Sequence, residues 1–66
     1  MKKLARNIYY YRTKAGLTQT ELGVKCGVTT RMVGFWEQGL KNVTAEKLEL
    51  LCKALGVTPN ELMGIG

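Results

Sequence analysis

The sequence predicts an all-α fold, a compact bundle of five short helices, on three observations. Apolar residues recur three and four positions apart, and no stretch alternates apolar with polar as a half-buried strand would. Threonines stand just ahead of the apolar runs, where helix N-termini need a capping oxygen. Glycines stand just after most of them, where the chain leaves the helix. Helices are therefore expected over residues 2–15, 18–26, 29–38, 45–55 and 59–64.

In the first, Leu4, Ile8, Tyr11 and Ala15 form one apolar stripe that must face inward, and Gly16 ends it. The second opens at Thr18, with Glu21 three residues on to close a capping box and Leu17 and Leu22 as its hydrophobic staple. The third opens at Thr29, stapled by Val28 and Val33, but its first turn carries Thr30 and Arg31 where carboxylates would suit the helix dipole. Met32 and Trp36 belong to the core. The fourth has Thr44 as cap, Val43 and Leu48 as staple, and Leu48, Leu51, Cys52 and Leu55 on one face ahead of Gly56. The fifth repeats the start signal in Thr58, Pro59 and Glu61, with Val57 and Leu62 as staple.

Sixty-six residues, 45% apolar and 23% charged, make one globular domain over residues 1–66, near the lower limit for folding without metals or disulfides. The two cysteines, Cys26 and Cys52, occupy apolar helical positions and are expected as buried, reduced thiols. With no histidine and no C-x-x-C pair, no metal is expected, and nothing in the sequence asks for a cofactor. No apolar run approaches the roughly 18 residues of a membrane span, and Met1, Lys2 and Lys3 are not followed by an apolar signal-peptide core, so a cytoplasmic protein is expected. An enzyme is poorly supported, because the five carboxylates are glutamates on separate helical positions and neither cysteine has a base near it in sequence. The net charge of +5 is lopsided: residues 1–41 hold eight basic and two acidic groups, residues 42–66 two and three. A basic half suits a polyanion, although surface lysines are often merely solvated.

Residues 17–39, LTQTELGVKCGVTTRMVGFWEQG, thus read as two short capped helices around a glycine turn, the arrangement of a helix-turn-helix unit. Gly27 closes the turn, and Gly23 removes a side chain where the second helix of the pair crosses closely. The acid-free start of helix 29–38 offers donors where phosphates and base edges would approach. Gln19 sets an amide beside unpaired backbone N–H groups, suited to clamping a phosphate, with a solvated glutamine as the ordinary alternative. Off the core side of helix 29–38 lie Thr30, Arg31, Gly34 and Phe35, which with Thr29 at its start are the candidate base contacts. Arg31 has the planar fork for guanine, or else meets phosphate or solvent. Phe35 offers a surface to a thymine methyl or covers the core edge beside Trp36. Gly34 either permits close approach to DNA or narrows what the helix reads. Tyr9, Tyr10 and Tyr11 point about 100° apart on a helix and make no stacking platform for single strands.

The chain resembles the Cro and phage-repressor type of helix-turn-helix protein, the XRE family. The resemblance rests on Thr18, Gln19, Leu22, Gly27, Val28, Val33, Glu37 and Gly39, continuing through Arg12 upstream and Thr44, Leu48, Ala54, Leu55, Val57 and Leu62 downstream. Gly23 replaces the usual alanine, Cys26 a larger aliphatic residue and Val43 a frequent proline. The resemblance implies a lambda-repressor-like DNA-binding domain, with an Arg12–Glu37 ion pair tying its first and third helices together. It further implies that Thr18 and Gln19, and Gln38, Lys41 and Asn42 beyond the third helix, meet the sugar-phosphate backbone, against a solvated loop as the plainer view. Family analogy and apolar residues put a dimer surface at Val57, Leu62, Met63 and Ile65. The function implied is a transcriptional regulator, a repressor, reading double-stranded DNA as a homodimer on a palindromic operator. The alternative is a protein-binding module, an antitoxin or adaptor that keeps the fold, since fold alone does not dictate function.

Overall fold

The computed structural model describes residues 2–64. Five helices follow one another: α1 (Lys2–Lys14), α2 (Gln19–Cys26), α3 (Thr30–Gln38), α4 (Ala45–Leu55) and α5 (Pro59–Met63). Each of the last four is capped by the threonine ahead of it, Thr18, Thr29, Thr44 and Thr58, whose hydroxyl accepts the backbone N–H three residues on. Glu21 and Glu61 complete reciprocal capping boxes, taking the N–H of Thr18 at 2.8 Å and of Thr58 at 2.9 Å. A threonine hydroxyl at such a site is worth about 1 kcal/mol over alanine, and helices of five to thirteen residues depend on that.

The core is a single cluster of Ile8, Leu22, Cys26, Val33, Trp36, Leu51, Cys52, Leu55 and Leu62, drawn from all five helices. Around it α1 packs on α3 and α5, α2 on α3 and α4, and α4 on α5. The α1 stripe differs from expectation at its C-terminal end. The helix stops at Lys14 and the chain turns away through Gly16, so Ala15 is exposed; Ala5, a turn before Ile8, is buried instead. Asn7 of α1 donates its amide N–H to the Leu62 carbonyl at 2.9 Å, tying α5 to α1. Both cysteines are free and buried, and burial pushes both thiols up in pKa, an effect the Lys47 ammonium partly offsets at Cys26. They stay protonated and weakly nucleophilic at neutral pH.

Two glycines shape the turn between α2 and α3. Gly27 has φ 70°, and its reversal lets the Val28 N–H reach back to the Gly23 carbonyl at 2.9 Å. Gly23 is buried, and a Cβ built on it would lie 2.7 Å from the Val28 carbonyl oxygen. What passes over Gly23 is therefore the backbone of the turn leading into α3. Backbone cannot rotate aside as a side chain can, so the clash in Gly23→Ala outweighs the gain in helix propensity. We expect a net loss of about 1–2 kcal/mol on urea denaturation; equal or greater stability would show that the turn yields.

Candidate nucleic-acid interface

The outward face of the α2–turn–α3 unit gathers most of the residues singled out in the sequence. At its entrance, Thr29 uses its hydroxyl to accept the Met32 N–H at 3.1 Å, while the first turn of α3 carries no carboxylate. Thr30 and Arg31 are exposed there. The Thr30 hydroxyl bonds the Thr20 hydroxyl across to α2 at 2.9 Å, so the two helices are linked on the surface as well as in the core.

Further along α3, Phe35 is half-buried, with the Arg31 guanidinium 5.8 Å and the Lys41 ammonium 6.0 Å from its ring centre. The half-buried ring keeps part of its surface open, and two cations lie over it. Each contact is worth about 0.5–1 kcal/mol at an exposed site, enough to bias both long side chains toward the same patch. Gln38, Lys41 and Asn42 are exposed at the end of α3 and in the following loop. Arg6, which the sequence reading passed over, lines a shallow depression with Glu37 and Gln38; an exposed arginine on α1 has no local signature that brings it to the end of α3.

Behind this face lies the Arg12–Glu37 ion pair. Arg12 Nε donates to Glu37 Oε2 at 2.5 Å and Nη2 to Oε1 at 3.2 Å, with the two side chains only 11% and 7% exposed. Its third nitrogen, Nη1, donates to the Leu17 carbonyl at 2.8 Å, between α1 and α2. Gln19, expected to reach outward, instead sends its Nε2 to Glu37 Oε1 at 3.0 Å. That contact has no sequence signal, since eighteen residues and a turn separate the pair. The two carboxylates of residues 1–41 are thus both engaged, Glu21 on the Thr18 N–H and Glu37 on Arg12 and Gln19. The surface around Arg31 and Lys41 is correspondingly electropositive.

The expected dimer residues fare differently. Met63 is exposed and Val57 half-buried, but Leu62 is fully buried in the core and offers nothing to a second copy, a correction that follows from the docking of α5 on α1. Ile65 lies outside the described residues.

A family model described as helix-turn-helix matches residues 8–62. The control protein C.BamHI of Bacillus amyloliquefaciens is 31% identical over 51 residues, 77% of this chain and 63% of that protein, so the chain spans under two thirds of that relative's length. Among solved structures, the restriction-modification controller protein C.AhdI from Aeromonas hydrophila superposes with a TM-score of 0.87 at 33% identity, covering 92% of both chains. The P22 c2 repressor protein in complex with synthetic operator 9T does so with a TM-score of 0.88 at 28% identity, covering 96% of both.

The ion pair makes a stability prediction. Arg12→Ala leaves the Glu37 carboxylate buried beside Gln19 alone and should cost about 3 kcal/mol in chemical denaturation, whereas Arg12→Met with Glu37→Met, which removes both charges and keeps the volume, should cost far less. Equal losses in the two variants would mean that the charges matter less than the packing of their stems.

Proposed function

The chain belongs to the helix-turn-helix family, of the Cro and phage-repressor type, and from that premise we propose that it is a transcriptional repressor that binds double-stranded DNA in a sequence-specific way. The observation that carries this reading is the acid-free, exposed face of α3, with Arg31 and Lys41 gathered over Phe35. In this reading α3 lies in the major groove, with Thr29, Thr30, Arg31, Gly34 and Phe35 toward the base edges. Thr18, Gln19, Gln38, Lys41 and Asn42 meet the backbone on either side. Arg31 supplies the bidentate contact to guanine, and Phe35 the apolar contact to a neighbouring thymine methyl.

Regulation is supported by the relatives: two of the similar proteins are control or controller proteins, and a third is a repressor in complex with an operator. Dimerisation is supported by size. The molecule measures 29 Å in its longest dimension, short of the roughly 34 Å of one DNA turn, so one copy covers a half-site and two copies a palindrome. The whole chain, residues 1–66, acts as one domain in this role, with Met63 and Val57 left as the exposed part of the expected dimer surface. No helix among the described residues is long and apolar enough to cross a membrane, in keeping with a protein that works on DNA in the cytoplasm.

The test is selection from a random double-stranded DNA pool near 0.15 M salt, where purely electrostatic association is weak. We expect an inverted repeat with half-sites about 10 base pairs apart. Arg31→Ala should then relax the preference at one position of each half-site, at a cost of about 1–3 kcal/mol. Lys41→Ala should weaken all sequences alike and lower the salt slope by about 1 for each half-site bound. If folded protein enriches nothing, the DNA reading fails and the same face becomes that of a protein-binding antitoxin or adaptor.

A further inference from the structure

Gln19 is the one expected backbone contact of this face whose side chain is held by another helix. Its Nε2 donates to Glu37 Oε1 at 3.0 Å, and the group nearest to a Cβ built on Gly34 is that same Nε2, at 3.9 Å. The amide therefore leaves α2, passes over Gly34 and ends on the carboxylate one turn further along α3. A carboxylate only accepts hydrogen bonds, so it selects one of the two flips of the amide, the one that turns the NH2 group inward along α3. One N–H is then committed to Glu37 and the other remains for an acceptor outside the protein. Arg12 neutralises the carboxylate from behind, so that the group holding Gln19 does not repel an approaching phosphate.

We propose that Glu37 is a positioning residue for DNA binding: it fixes the amide of Gln19, where it passes over Gly34, for its phosphate contact. The inference rests on the DNA-binding reading above and gives Glu37, placed there only in the ion pair with Arg12, a part in DNA binding although it touches no DNA. A methyl group at position 34 meets the amide at ordinary contact distance, while any longer side chain takes its place. The ordering of Gln19 is complete before DNA arrives, which removes its entropy cost from the binding step.

The experiment measures what Gln19→Ala costs in three backgrounds, by titrating each protein against the double-stranded site that the wild type selects, with thermal unfolding of each variant alongside. In the wild-type background the substitution should weaken binding about tenfold, the worth of one hydrogen bond to a charged group. In the Arg12→Met, Glu37→Met background, where no acceptor holds the amide, the same substitution should cost less than about twofold, as expected for a contact no longer formed. In the Gly34→Leu background the loss should be equally small, because the leucine displaces the amide. Any direct effect of the introduced methionines or leucine on DNA cancels, since each comparison is made within one background.

Should the methionine pair fail to fold, the leucine background carries the test alone. A tenfold cost that persists in a folded variant background would overturn the positioning role while leaving the DNA reading intact, as would the absence of any cost in the wild type. A wild type that selects no site would overturn the DNA reading and this inference with it.

Discussion

Arg12 and Glu37 are the junction on which the helical arrangement depends. One guanidinium from α1 grips a carboxylate from α3 with two nitrogens and the Leu17 carbonyl, just ahead of α2, with the third, and the same carboxylate takes the amide that begins α2. Three helices are thereby registered against one another by polar contacts of fixed direction, which apolar packing among Ile8, Leu22, Val33 and Trp36 does not by itself specify. In so small a chain the core can supply cohesion but has few residues left over to define orientation. A charge pair that is costly to bury gains its place by imposing that orientation, and here it sits directly behind the surface proposed to touch DNA.

Much of this was legible in the sequence because the signals are local. Threonine caps, glutamates three residues on and apolar staples mark helix starts within a residue, and the structure moves Thr18 and Thr29 only from first residue to cap. The core positions of α2 to α5 follow from spacing in the same way. The failures are at places where distant elements decide. Ala15 keeps the period of the α1 stripe but lies past the point where the chain turns, and Leu62 reads equally well as a surface apolar residue of a short terminal helix or as the plug of the bundle. Only the docking of α5 on α1, sealed by Asn7, makes it the latter.

The site divides along the same line. Arg31, Thr30 and Lys41 are exposed because their helical phase or loop position places them there, which periodicity reveals. The Arg12–Glu37 pair was reached through family resemblance, not through any feature of spacing. The Gln19–Glu37 and Thr20–Thr30 bonds were invisible, since each joins residues of different helices through side chains that are individually unremarkable. The polar face of a helix pair is thus less predictable than its apolar one: hydrogen bonds depend on angles that only the finished crossing of α2 and α3 defines.

The turn that sets up that crossing lies backbone against backbone on α2, with the Val28 carbonyl resting on the bare Cα of Gly23 and the Val28 amide closing back to the Gly23 carbonyl. Most helix pairs derive their angle from interlocked side chains, and drift when those side chains change size. Here the entry into α3 is set by peptide geometry as well as by side chains. Core side chains and the exposed residues of α3 can therefore be exchanged without touching this contact, which contains no side chain of either set.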